Sequence, residues 1–105
     1  MDSGFLQLIN DATAFKRSAF AESTKVAYKC HRDCYVRFCL YFDRIPLPAD
    51  QLTLKTYVAF LARSIKSTSI NGYLNIVRIM HLEAGFPNPL VDNYELRMLK
   101  RGIAR

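Results

Sequence analysis

Apolar positions recur along this chain at three- and four-residue intervals, the spacing of one helical face, and no segment shows the strict alternation of a half-buried strand. Phe5, Leu8, Ile9, Ala12, Phe15, Ala19 and Phe20 predict a first amphipathic helix over residues 3–20. Ala21-Glu22-Ser23-Thr24 then supplies a break and a Ser or Thr N-cap for a second helix over residues 24–44, which Pro46 and Pro48 stop. Ala27, His31, Cys34, Tyr35, Phe38, Tyr41, Phe42 and Ile45 fall within one arc of that helix and form its expected buried side. Asp50 or Thr53 caps a third helix, carried by Leu54, Tyr57, Val58 and Leu61 and ending near Ile65. The run Lys66-Ser67-Thr68-Ser69 reads as a polar connection that offers capping hydroxyls to a fourth helix. Ile70, Tyr73, Leu74, Val77, Met80, His81 and Ala84 form one face of that helix, and Ile76, Ile79 and Leu82 make it apolar on other sides, so it is expected to be the most buried. Gly85 fits the left-handed residue that ends a helix, and Pro87 and Pro89 prevent continuation. A short fifth helix over residues 93–101 turns Tyr94, Met98 and Leu99 inward before Gly102 ends it. The expected fold is all-α, a compact bundle of four to five helices.

Composition bounds this picture. With 105 residues, half of them hydrophobic and 12% aromatic, the chain suits one domain over residues 1–105 that builds a single core without disulfide or metal staples. No run approaches the roughly eighteen apolar residues of a membrane helix, and Met1-Asp2-Ser3-Gly4 lacks the basic segment of a signal peptide. The expectation is an intracellular protein without a membrane partner, in the cytoplasm of a prokaryote or the nucleus of a eukaryote. Three cysteines without a secretory signal point to reduced thiols. Cys30 and Cys34 lie one turn apart, but Cys39 sits about 140° around the helix from Cys34, so no metal site is expected and the thiols read as small, buried and inert. His31 and His81 sit on apolar faces as structural histidines, and the six tyrosines read as packing residues with hydroxyls near the surface. No Gly-rich phosphate loop, paired acidic motif or nucleophile elbow is present, so neither a catalytic residue, a cofactor nor a small-molecule substrate is expected.

Charge is what singles out candidate chemistry. Fifteen Lys and Arg against nine Asp and Glu leave a net charge of +6, which favours an anionic partner. On the second helix Lys25, Lys29 and Arg32 stack as one ridge opposite the apolar arc, spaced to meet successive phosphates, although Asp33 and Asp43 dilute it. On the fourth helix Asn71, Asn75 and Arg78 align at the same spacing, and Asn and Arg have hydrogen-bonding geometry suited to adenine and guanine edges. Lys66, Ser67, Thr68 and Ser69 place a cation, hydroxyls and free backbone N–H groups at that helix's start, a seat for phosphate. Lys100, Arg101 and Arg105 add a basic C-terminal segment. Each feature has a plainer reading beside it: a solvated helix face, an exposed polar strip, ordinary N-capping and a frayed basic end.

The order of these features resembles a known family. Ser23-Thr24 followed by Tyr28, the aromatic-rich stretch to Phe42, the pair Tyr57 and Leu61, Ser67-Thr68-Ser69-Ile70 opening the fourth helix, His81 with Gly85, and Leu99-Lys100-Arg101-Gly102-Ile103-Ala104-Arg105 are similar to the N-terminal core-binding domain of tyrosine recombinases and phage-type integrases. The resemblance covers roughly residues 23–105. It implies the SAM-like, lambda-integrase-like N-terminal fold, which forms one half of a C-shaped clamp on duplex DNA, with two helices at the major groove that correspond here to the second and fourth. It implies sequence-preferring double-stranded DNA binding in site-specific recombination and DNA integration by a mobile element. Strand cleavage in that family belongs to a C-terminal domain with Arg, His and Tyr, which would lie beyond Arg105, so the chain is expected to be a non-catalytic module of a longer recombinase. Protomers of such a recombinase contact one another through this domain. The alternative expectation is a small helical protein-interaction or assembly module.

Overall fold

A computed structural model describes residues 3–18 and 22–104, with the side chains of residues 4–12 and 26–104. Five helices follow in order, α1 (Ser3–Ser18), α2 (Glu22–Tyr41), α3 (Gln51–Ala62), α4 (Ser67–Glu83) and α5 (Tyr94–Ala104), and no strand occurs among the described residues. The molecule is the expected all-helical bundle, with α2, α3, α4 and α5 packed around one core. Among the described residues α1 packs against none of the other four helices. No helix is long and apolar enough to cross a membrane among the residues described.

The core is built by Tyr35, Phe38 and Cys39 from α2, Leu54, Tyr57, Val58 and Leu61 from α3, Ile70, Leu74 and Val77 from α4, and Leu96 from α5. The third helix is the most densely buried, with five buried side chains in 12 residues where α4 has five in 17, although each of the two packs against the other three helices of the bundle. The expectation that the fourth helix would be the most buried is corrected accordingly. On α2 the buried arc is narrower than its periodicity suggested. It centres on Tyr35, Phe38 and Cys39, and Tyr41, about 120° from Tyr35, is 83% exposed. Phe42 and Ile45 are also exposed, since the helix has ended before them, and Ala27 lies at the surface.

That early ending has a local cause. Asp43 adopts a left-handed conformation (φ 55°), the Arg44 N–H donates to the Cys39 carbonyl (2.7 Å) and the Asp43 N–H to that of Leu40 (3.4 Å). This pair of bonds terminates the helix at Tyr41, before either proline acts, and aspartate is among the few residues that tolerate such a backbone. The same device ends α4 at the expected glycine: Gly85 has φ 87°, Phe86 N–H donates to His81 (2.8 Å) and Gly85 N–H to Leu82 (3.1 Å). The fifth helix starts after Asn93, whose Oδ1 accepts from the Leu96 N–H (3.0 Å), and it runs through Gly102 to Ala104 rather than stopping there. Leu96 is buried and Leu99 and Ile103 pack half-buried beside it, at three- and four-residue spacing. Tyr94, about 200° from Leu96, points outward at 62% exposure, against the expectation that it turns inward.

Asp50 is the N-cap of α3, accepting from the Thr53 N–H at 2.8 Å. Arg44 closes the corner, with Nη2 3.0 and 2.8 Å from the two Asp50 oxygens and Nε donating to Thr53 Oγ1 (3.0 Å). Hydrogen bonds from Thr53, through its hydroxyl and its backbone N–H, and then from Arg44 hold the Asp50 carboxyl down at about 2. A carboxyl lowered by folding adds stability that is complete above its ordinary value of 3.8 and fades as pH falls towards 2. Asp50→Asn is therefore expected to lose stability at neutral pH, by about 1 kcal/mol for a weakened cap and lost ion pair, and to show a shallower acid-induced loss between pH 4 and 2, read by thermal melts across that range.

His81 is 1% exposed and bridges elements. Its Nε2 accepts from the Ala49 N–H (2.9 Å), which places the ring proton on Nδ1, donating to the Val77 carbonyl (2.7 Å). His31 stacks on Tyr73 with ring centroids 3.8 Å apart. Both histidines thus have the structural placement expected of them. The tyrosines divide: Tyr35 is buried and donates to the Pro46 carbonyl (2.7 Å), Tyr41 and Tyr94 are exposed, and the Tyr57 hydroxyl is buried rather than near the surface. Of the thiols, Cys39 is buried, Cys34 half-buried and Cys30 exposed, so the expectation of three buried thiols holds fully only for Cys39.

Candidate nucleic-acid interface

Packing of α5 against α3 and α4 carries the last helix alongside the first turn of α4. Arg97, Lys100 and Arg101, at i, i+3 and i+4, share one side of α5. With Ser67, Thr68, Ile70 and Asn71 they line a shallow cavity of about 380 Å³. Lys100 Nζ donates to Asn71 Oδ1 at 2.9 Å, which ties the two helices at the rim. The N-terminus of α4 adds the positive end of its dipole and first-turn amides that have no carbonyl four residues back. One of these, Ser69 N–H, donates to the Lys66 carbonyl (2.9 Å). The structure therefore gathers Ser67, Thr68, Asn71, Lys100 and Arg101 and adds Arg97, which sequence reading passed over. The signal for Arg97 was present in its spacing from Lys100 and Arg101, but those two had been read as part of a terminal segment rather than as one helical side.

Two expectations at this corner change. Ser67, Thr68 and Ser69 lie inside α4 rather than ahead of it, and the N-cap is Lys66, which makes no side-chain capping bond. Lys66 and Ser69 are exposed but do not line the cavity, because helical rotation turns Ser69 about 160° from Asn71.

Along α4, Asn71 and Asn75 are exposed and Arg78 half-exposed, with Arg78 Nε donating to Asn75 Oδ1 (3.0 Å). The strip emerges between two neighbours. On one side α5 meets Asn71; about 100° further round, α2 meets α4 at Gly72, where His31 Cε1 approaches to 3.9 Å of an added Cβ, and at Glu83, which accepts from the Tyr28 hydroxyl (3.4 Å). On α2 itself Lys29 and Arg32 are exposed, and the Arg32 guanidinium lies 6.0 Å from the centre of the Tyr28 ring. Burial, followed by the nearby Glu83 carboxylate, pushes the Tyr28 phenol up from its ordinary value. Among the described residues no hydrogen bond or ion pair joins the α2 ridge to the α4–α5 corner, so they are two cationic surfaces with the Asn75–Arg78 strip between α2 and α5. The side chains of Lys25 and Arg105 lie outside the described residues.

The chemistry available here is that of binding. Cations, hydroxyls and amides at the α4–α5 corner can donate hydrogen bonds to phosphate oxygens, and the amide and guanidinium groups of the strip can pair with base edges. Among the described residues no three His, Cys, Asp or Glu side chains converge as a metal ion would require. No protein-family model matches the chain, and no curated protein matches it in sequence.

Proposed function

We propose that this chain is a non-catalytic, sequence-preferring double-stranded-DNA-binding domain, the core-binding arm of a tyrosine recombinase or integrase, with the SAM-like, lambda-integrase-like N-terminal bundle as its fold subtype. The observation that carries this reading is the meeting of Arg97, Lys100 and Arg101 with the N-terminus of α4 beside Asn71. Phosphates supply most of the affinity of such an interface and fix its register, and base edges supply preference. In this reading the α4–α5 corner holds one stretch of backbone, Lys29 and Arg32 with Lys25 hold another, and Asn75 and Arg78 face the bases between them. The net charge of +6 adds long-range attraction. Site-specific recombination and DNA integration would require the catalytic Arg, His and Tyr of a linked domain, with other protomers of the same recombinase as partners.

Anisotropy of a labelled duplex at low salt tests this directly. The native chain is expected to bind, and Lys25→Ala/Lys29→Ala/Arg32→Ala to bind several-fold more weakly, since each lost phosphate contact returns about one counterion to the DNA. Absence of binding at low salt, or full affinity in that variant, counts against the reading. The alternative, a helical interaction or assembly module, is favoured by a separate observation, the uncovered apolar strip of α1.

A further inference from the structure

Helix α1 has an apolar strip that no other helix covers among the described residues. Phe5, Leu8 and Ala12 recur at three- and four-residue spacing, Phe5 is 54% and Leu8 64% exposed, and the helix packs on no other among the described residues. A lone helix of about this length is marginal in water, and most helical stability in proteins comes from burying such a strip. Elsewhere in the chain an apolar groove is equally uncovered. Phe38 of α2 and Phe42 just beyond its end form one wall, Leu52, Ala59 and Phe60 of α3 the other, around a cavity of about 450 Å³ with Arg63 at one end. Its α3 wall extends eleven residues, roughly 16 Å or three helical turns, enough to seat the two turns from Phe5 to Ala12.

Charge sets the direction. Asp11 flanks the α1 strip about 60° from Leu8, near its C-terminal end, and among the described residues it accepts from Gln7 Nε2 one turn away (3.2 Å). Arg63 is exposed and has no ion pair among the described residues, whereas the other cation of the groove, Arg44, is already held by Asp50. With α1 laid parallel to α3, its apolar strip fills the groove and Asp11 reaches Arg63.

We propose that α1 of one copy of this chain seats in the α2–α3 groove of a second copy, and that two such seats close a two-fold dimer. A reciprocal exchange of one helix satisfies both uncovered surfaces at once and leaves no open end for further growth. The proposal does not depend on DNA binding, and its test contains no DNA.

Light scattering and sedimentation of the full chain give the test, with circular dichroism to confirm that each variant is folded. At roughly 100 μM, where a contact of about 10 μM Kd is well populated, the native chain is expected at twice its 12.1 kDa mass, reverting to monomer on dilution. Phe5→Asp/Leu8→Asp and Leu52→Asp/Ala59→Asp should each be monomeric. Mixed together, they should form a heterodimer through the one intact seat. Arg63→Glu should weaken the dimer, and adding Asp11→Lys to it should restore it, a charge exchange at two exposed positions that leaves the core untouched. A native chain that stays monomeric at this concentration overturns the proposal, whether α1 is then protected by its own groove or by nothing. So does a dimer that survives both apolar variants, or a mixture that fails to associate.

Discussion

Replacing Arg97, Lys100 and Arg101 together by alanine is expected to lower duplex affinity by roughly 10- to 100-fold at low salt and to flatten the slope of log K against log salt by about three. The three side chains lie on one side of α5 against the start of α4, so their loss removes the cations gathered beside the hydroxyls and N-terminus of that helix. Arg97 and Arg101 are exposed and Lys100 half-buried, so the bundle should keep its helical content and most of its thermal stability. Anisotropy titrations at several salt concentrations separate this outcome from general unfolding. If the variant kept the native slope, the phosphates would have to be held elsewhere, and the α4–α5 corner would lose its assigned part.

The second large effect lies in the core. His81→Phe keeps most of the ring volume but removes the acceptor of the Ala49 N–H and the donor to Val77. A buried backbone N–H left without a partner costs about 1–3 kcal/mol, which for a domain of this size lowers Tm by roughly 5–20 °C. His81→Ala adds a cavity next to Val77 and Phe86 and is expected to cost about 3–5 kcal/mol. Well below the melting transition both variants should bind duplex DNA as the native chain does, because the imidazole is enclosed and reaches none of the interface. A His81→Phe protein as stable as the native one would mean that the Ala49–His81 bond contributes nothing net.

Helix number, helix type and the main core positions were legible in the sequence because each rests on local periodicity and on strong punctuation. Gly85 is the clearest instance: a glycine after an apolar run, found in the left-handed conformation that ends α4. Boundaries set by less familiar residues were not legible. Asp43 ends α2 by adopting a backbone usually given to glycine, and Lys66 begins α4 with no capping side chain where three hydroxyls stood ready. Which side of a helix is buried depends on its neighbours, and periodicity alone placed Tyr41 and Tyr94 inside although α3 covers neither. The candidate interface was read as separate fragments. Asn71 and Lys100 are 29 residues apart, and only the packing of α5 on α4 joins them and brings in Arg97.

A DNA-binding role is tested most directly by the affinity of the native chain for a labelled duplex as a function of salt. Lys25, Lys29, Arg32, Arg97, Lys100 and Arg101 should together neutralise about six phosphates, so log K is expected to fall with log salt at a slope of roughly −5 to −6. A slope near zero, or no binding at low salt, would contradict it.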